Sequence, residues 1–565
     1  MSNLINTAMS GLKGAQAALS TVSNNISNQA VSGYSRQNVL LSQAVSTSTS
    51  AGYIGNGVNV VGINREYNDF IATQLRSAQS QSSSATTYYE QITKIDNLLA
   101  NRTTGLSATL QDFFTNLQSL TSNPGDSSTR QTVLGKAEGL VNQFKVTDKY
   151  LRDTAEGLNT QIQSTVGQIN TYSREIADLN NQITRLTGAN QDQGNAPNDL
   201  LDQRDRLVNE LNKLVGVDVS VQDGITYNVS LKNGLSLVQG TRTNDLVAAS
   251  SNSDPSRITV GYNDRITGVG EVKESAITGG SLSALLTFRS DTLDSVSNQL
   301  GQMALSFSDA FNTQHKEGYD RNGEKGEDFF TFGDPVALKN AKNSGSAELA
   351  PTYADTSAIK ASNYTIKYNG SDWQVTRLSD NATFTASVDA SDSSLNFDGL
   401  KLAISGTPAT NDSFMLKPVE GVITGMSVAI TDSSKVAAAS VKLDDNGAPV
   451  LENGNPVFGG ASDNTNANAL LALQNKKIVE GKSTITGAYA SLIGDIGNQT
   501  NTMKVNSTSK ASVVTQLTAE QQSISGVNLD EEYGELMRYQ QYYQANAAVI
   551  QTASTIFDAL LSIRA

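Results

Sequence analysis

Few side chains in this chain could do chemistry. His315 is the only histidine among 565 residues, and there is no cysteine. That composition excludes two-histidine zinc motifs such as H-E-x-x-H, thiolate metal sites, cysteine nucleophiles and disulfides. A Ser-His-Asp triad would have to recruit His315, in Asn312-Thr313-Gln314-His315-Lys316. There it stands at a predicted helix end, and the expected role is a positive side chain at the helix C-terminus. The run from Asp320 to Asp328 has the look of a calcium loop, but an EF-hand carries Gly at the sixth position and Glu at the twelfth. Those positions hold Lys325 and Thr331, so a solvated turn is expected. Asp199, Asp202, Asp205 and Glu210 share a predicted helix with Arg204 and Arg206. Paired carboxylates can serve acid–base chemistry; interleaved opposite charges more often make a salt-bridged surface, which is the expectation here. No G-x-x-x-x-G-K-S/T loop is present to cradle phosphate. The residues name no catalytic, cofactor-binding or metal site, and neither enzyme activity nor a cofactor is expected.

The elements that would hold any site carry a stronger pattern, and it lies at the two ends. Ile5, Ala8, Leu12, Ala15, Leu19, Val22 and Ile26 alternate by three and four steps. Leu536, Tyr539, Tyr543, Ile550, Ala553, Phe557 and Leu560 do the same, with Asn546 as the polar interruption. Such spacing puts every member on one narrow helix face, which a partner helix must cover. Helices docked on a domain core show similar stripes. Isolated helices of this length are marginal in water, so each end needs a partner, and the other end is the nearest candidate.

Uncharged polar residues are abundant, only 17% of residues are charged, and the net charge is -14. With no basic run interleaved with aromatics, neither nucleic acid nor an anionic membrane surface is an expected partner. The start, MSNLINTAMSGLKG, has neither the basic nor the apolar region of a cleaved secretory signal, and no stretch approaches a membrane span.

Along the chain, helix is predicted over 2–28 and extended backbone over 34–63, with Gly55-Asn56-Gly57 as a hairpin-type turn. Helices follow to about 100, over about 127–155, and again through Ile169, Tyr172, Ile176, Leu179, Ile183 and Leu186 up to Gly188. The segment from Asn195 to Asp199 opens another helix. The period changes to two over 216–275, returns to helical over 281–314, and reads as an inserted β-rich domain over 355–435. Helix resumes over 464–475 and 485–522, and Gly526 precedes a last helix that Asn528 or Asp530 could cap. The expected fold class is α+β multidomain. It has a coiled-coil stem (1–33 with 528–565), a mainly helical body (34–330 with 436–527) and an inserted outer β domain (331–435).

Ser23-Asn24-Asn25-Ile26-Ser27-Asn28, followed by Gly33-Tyr34-Ser35-Arg36-Gln37, resembles the N-terminal signature of bacterial flagellar axial proteins. The second stretch is similar to the hook-associated protein 1 family, the first hook–filament junction proteins. Gly55-Asn56-Gly57-Val58, Asn198-Asp199-Leu200-Leu201-Asp202-Gln203-Arg204-Asp205, Asp412-Ser413-Phe414-Met415-Leu416 and Ser525-Gly526-Val527-Asn528-Leu529-Asp530-Glu531-Glu532 continue the resemblance in order. It implies an extracellular structural protein exported through the flagellar type III apparatus without a cleaved signal. Its implied partners are copies of itself, the hook protein, the second junction protein, the filament cap protein during assembly, and a dedicated export chaperone at the C-terminal region. The terminal helices, 2–28 and 530–564, would line an inner tube. The alternatives are another axial protein of hook or flagellin type, a surface adhesin using the outer β domain, or a coiled-coil scaffold.

Overall fold

A computed structural model describes every residue except 1, 51, 102–104, 190–196, 265–267, 390, 445, 447, 453–454 and 565. Asn195 and Ala196, expected to open a helix, lie outside the described residues. The chain leaves and returns through one pair of helices. Helix α1 (Ser2–Asn28) is followed by strands β1 (Gln37–Gln43), β2 (Thr47–Thr49), β3 (Gly52–Ile54) and β4 (Val58–Arg65). Strands β1 and β4 pair antiparallel with an irregularity between Leu40 and Leu41, and β2 pairs with β3 at the tip. Gly55-Asn56-Gly57 therefore joins β3 to β4 rather than forming the hairpin turn itself.

The body is built on long helices: α2 (Asp69–Leu99), α3 (Leu106–Ser122), α4 (Ser127–Ala189) and α5 (Asn198–Leu214). The two helices expected within 127–188 are one 63-residue helix. Its interior glycines cost helix propensity, but Leu140, Phe144, Leu151, Leu158, Ile162 and Ile169 are all buried along its length, and that packing outweighs the cost. Strands over Val217–Glu271 then form a four-stranded antiparallel meander and a three-stranded sheet on the flank of α4. Helices α6 (Gly280–Thr287) and α7 (Asp294–Glu317) are joined through one π-helical stretch, Phe288–Leu293. The outer domain has two antiparallel sheets. One runs in the order Val336–Lys339, Ser413–Lys417, Tyr364–Tyr368, Trp373–Arg377, Thr383–Ala386; the other runs Glu348–Tyr353, Leu400–Ser405, Ser394–Phe397. Phe397 of the second sheet packs on Tyr364 and Phe384 of the first, with ring centroids 5.4 and 5.8 Å apart. Helices α8 (Thr465–Ala472), α9 (Ile485–Ser525) and α10 (Leu529–Arg564) bring the chain back, α9 along α2 and α10 along α1.

His315 is fully buried, not a charged group at a helix end. Its Nδ1 lies 2.7 Å from the Glu327 carbonyl, and Nε2 accepts the Ala437 N–H at 2.8 Å, so the proton sits on Nδ1. Phe311 and Phe329 flank the ring. Burial depresses its pKa to about 4, against the opposing pull of Glu327 and Asp328. A histidine held neutral in this way stabilises the fold fully above its unfolded pKa of about 6.5 and loses that contribution as pH falls toward 4. Thermal melts between pH 7.5 and 4.5 are expected to show this decline. A His315→Gln variant should melt lower at pH 7.5 and depend less on pH across that range. Asp320 is likewise buried rather than solvated: its Oδ1 accepts the N–H groups of Asn322 and Glu324 at 2.7 and 2.8 Å. Among the described residues no group of acidic or histidine side chains is arranged to hold a metal ion.

Candidate functional site: the terminal stem and its clasp

Helices α1 and α10 run antiparallel, and small residues of α1 let them approach. Ala8, Ala15, Ala18 and Val22 are buried, as is Ala553 on α10. At Gly11 a Cβ would lie 2.5 Å from Oδ1 of Asn546, the polar residue that interrupts the C-terminal stripe. Asn546 itself donates to the Tyr542 carbonyl at 2.8 Å. Gly11→Ala is expected to loosen the stem although alanine favours helix. The pair Gly11→Ala with Asn546→Ala should recover, gaining about 1 kcal/mol per glycine removed. Proteolysis of the stem in the purified chain measures both.

The larger members of the two stripes are not covered within one chain. Ile5, Leu12, Leu19, Ile26, Leu536, Tyr539 and Ile550 are half-buried; Tyr543, Phe557 and Leu560 are exposed. The β1–β4 pair lies along a neighbouring flank of α1, with Leu41 and Val58 against Gly14 and the Val58 N–H on Ser10 Oγ at 3.2 Å.

At its inner end the stem is held by a set of polar residues drawn from both termini. Asn25 is buried and uses its whole amide. Oδ1 accepts the Gln37 N–H at 3.0 Å and the Tyr34 hydroxyl at 2.7 Å, while Nδ2 donates to the Gln37 carbonyl at 2.9 Å and to Glu532 Oε2 at 3.0 Å. Arg36 completes Glu532 through Nε at 2.7 Å, reaches Glu531 at 2.8 Å, and its N–H donates to the Ser525 carbonyl. Burial, with the charges of Asp202 and Glu532, pushes the Tyr34 pKa up to about 12, so it stays a hydroxyl donor. Gly33 supplies the left-handed turn (φ +81°) that brings Tyr34 back toward α1. Asn24 donates to the Tyr34 hydroxyl at 3.3 Å and Asn28 to the Asn24 carbonyl at 2.9 Å. Ser23 is exposed. At the other end of the clasp, Asn528 Oδ1 accepts the Asp530 N–H at 3.0 Å as the cap of α10. Gly526, Val527 and Leu529 are half-buried beside it.

A second layer ties the clasp to the body. Asp202 accepts both the N–H and the hydroxyl of Ser35, at 3.0 and 2.8 Å. Arg65 NH1 bridges Asp202 at 2.8 Å and Asp205 at 2.6 Å. Tyr227 donates to Asp205 at 2.9 Å, and Arg204 stacks over the Tyr227 ring with its guanidinium carbon 3.5 Å from the centroid. Of the charges on α5 expected at a salt-bridged surface, Asp202, Arg204 and Asp205 are nearly inaccessible and form a buried network, whereas Asp199 and Arg206 are exposed and Glu210 pairs with Lys213 at 2.6 Å. Burial raises the Asp202 pKa, while Ser35 and Arg65 hold it down. Sequence reasoning gave no site role to Arg65, Tyr227, Gly11 or Ala18. The Asp202-Gln203-Arg204-Asp205 run was visible, but its partner Arg65 lies 137 residues away from Asp202.

Both chain ends packed as one stem, clasped to a helical body that carries a β domain, define a bacterial flagellar axial protein. The ends match the family models for flagella basal body rod protein (residues 5–34) and the flagellar basal body rod FlgEFG protein C-terminal region (520–563). The middle matches the flagellar hook-associated protein FlgK helical domain (92–330) and the D2-like domain of flagellar hook-associated protein 1 (338–418). Flagellar hook-associated protein 1 of Salmonella typhimurium is 55% identical over 100% of both chains, and that of Escherichia coli K12 is 54% identical over 100% of both. The solved structure of the flagellar hook junction protein FlgK from Burkholderia pseudomallei matches with TM-score 0.73 and 29% identity, over 80% of this chain and 100% of that one. The chain belongs to the flagellar hook-associated protein 1 (FlgK) family and has a structural role at the flagellar hook–filament junction.

Proposed function

We propose that copies of this chain form a tube segment on the hook, with α1 and α10 facing the channel, the helical body around them and the outer β domain outermost. In this arrangement residues 1–33 with 528–565 are the stem, 34–330 with 436–527 the body and 331–435 the outer domain. One observation carries it: a single chain buries the small residues of its terminal stripes and leaves Leu12, Leu19, Phe557 and Leu560 half-buried or exposed. Covering each large apolar side chain against a neighbouring copy gains about 1.5–3 kcal/mol, and many such contacts around a ring add by multivalency. The hook protein lies below the segment, and the second junction protein and flagellin add beyond it, under the filament cap protein during growth. Before assembly the exposed C-terminal stripe requires a dedicated export chaperone, and the chain leaves by the flagellar type III route to the cell exterior. No enzymatic step belongs to this role. Electron cryomicroscopy of isolated hook–filament junctions tests the arrangement. Residues 2–28 and 530–564 at the innermost radius are expected; the outer β domain at that radius would overturn it.

A further inference from the structure

The free end of the stem carries two apolar elements that one chain leaves exposed. The contacts Asn25–Glu532 and Gly11–Asn546 are fourteen residues apart on each helix. Continuing in step from Gly11 and Asn546 by nine residues puts Ser2 level with about residue 555, so the last two turns of α10 run past the level where α1 begins. Phe557, Leu560 and Leu561 in that overhang are 49%, 53% and 53% exposed. The β1–β4 pair runs the same way: Gln37 is level with Asn25, while Gly57 abuts Thr7 and Ser10, so the tip lies toward the same end. There Val45 and Tyr53 are 86% and 81% exposed, and Ile54 is 45% exposed.

We infer that the hairpin tip, Val45, Tyr53 and Ile54, docks on the α10 overhang, Phe557, Leu560 and Leu561, of a laterally adjacent second copy. The proposal rests on the tube reading above and adds to it an occupant, the hairpin tip of a neighbour, for the part of the C-terminal stripe that runs past α1. Three features favour a second copy as occupant. Both elements lie toward the same end of the stem, so a side-by-side neighbour presents its overhang at the end where this chain presents its tip. They are different surfaces, so the contact is heterologous and repeats from copy to copy around a ring or helix. Charge is sparse in both: residues 37–64 contain no Asp, Glu, Lys or Arg, and residues 540–564 contain only Asp558 and Arg564. Apolar strips with so little charge mark protein contacts. The overhang also continues the α1–α10 seam beyond the end of α1, so it extends a surface already built for helix contact.

The chain has no cysteine, which makes introduced ones unambiguous. Tyr53→Cys and Phe557→Cys chains would be co-expressed in a bacterium lacking its own copy of the gene. Isolated flagella would then be treated with a short bismaleimide. Covalent dimers from the mixture, and none from either variant alone, are the expected result. Flagella that carry filaments but give no dimer from the mixture, or that give dimers from Tyr53→Cys alone, would overturn the docking while leaving the tube reading standing. Tyr53→Asp with Ile54→Asp is the second measurement. With an unchanged melting temperature of the purified chain, at least a tenfold loss of filament-bearing hooks is expected; normal filament numbers would contradict the proposal.

Discussion

Replacing Arg65 with alanine is expected to destabilise the chain by about 3–5 kcal/mol, the range for removing one partner of a buried ion pair. Arg65 bridges Asp202 and Asp205, and all three side chains are about one-tenth exposed. Burial works against the Arg65 charge, yet the two carboxylates more than offset it and hold its pKa above the ordinary value. Without the guanidinium, two like charges face each other near Tyr227 with no cation between them. Burial already raises the Asp202 pKa, and loss of Arg65 removes one of the groups holding it down. A carboxyl group whose folded pKa is raised costs stability in full above that pKa; the cost shrinks as pH falls through it and vanishes below the unfolded pKa. The deficit of Arg65→Ala should therefore be largest near pH 7.5 and shrink toward pH 4.5. Urea unfolding at both pH values measures it, and a deficit that is constant or grows in acid would contradict the network as described. Because Arg65 stands at the root of the hairpin and Asp202 also holds Ser35, release of the stem should accompany the loss.

Leu12→Asp combined with Leu19→Asp should abolish assembly while leaving the body intact. Both side chains are only half-buried within one chain, so the free chain bears a modest penalty. In a tube each becomes a buried carboxylate at every subunit contact. Each loses an apolar contribution of about 1.5–3 kcal/mol and adds the cost of an unpaired buried charge. The large core of Phe113, Phe114, Phe307, Phe311, Phe329 and Phe330 is remote from these positions and should melt unchanged. Electron microscopy of cell appendages, with melting of the purified variant, separates assembly from folding. Normal filaments would remove the terminal helices from the contact.

The three–four alternation at both ends, the switch to period two over 216–275 and the β-rich insert were readable because each reports a local periodicity. What escaped depends on distance. The stripe held Ala8 and Ala15 along with Leu12 and Leu19, but the tight contact within one chain also falls on Gly11 and Ala18, outside the alternation. Small residues carry little hydrophobic signal, and their value is the close approach they permit. Asp202 and Asp205 looked like surface charges because nothing near them in sequence shows Arg65 arriving from 137 residues away. His315 looked like a helix-end cation because its two hydrogen-bond partners, Glu327 and Ala437, come from separate loops. The two separate periodic stretches read within 127–188 are one helix, because tertiary packing carries α4 across the interval between them. The Asn25–Tyr34–Arg36 motif was recognisable as a family signature, whereas its physical purpose, joining both termini through Glu532, requires the fold.

The most direct test is a clean deletion of the gene in the native bacterium, followed by electron microscopy of the cell appendages and a flagellin assay of the medium. Bare hooks with flagellin lost to the medium are the predicted result. Filaments of normal length on swimming cells would contradict a junction role.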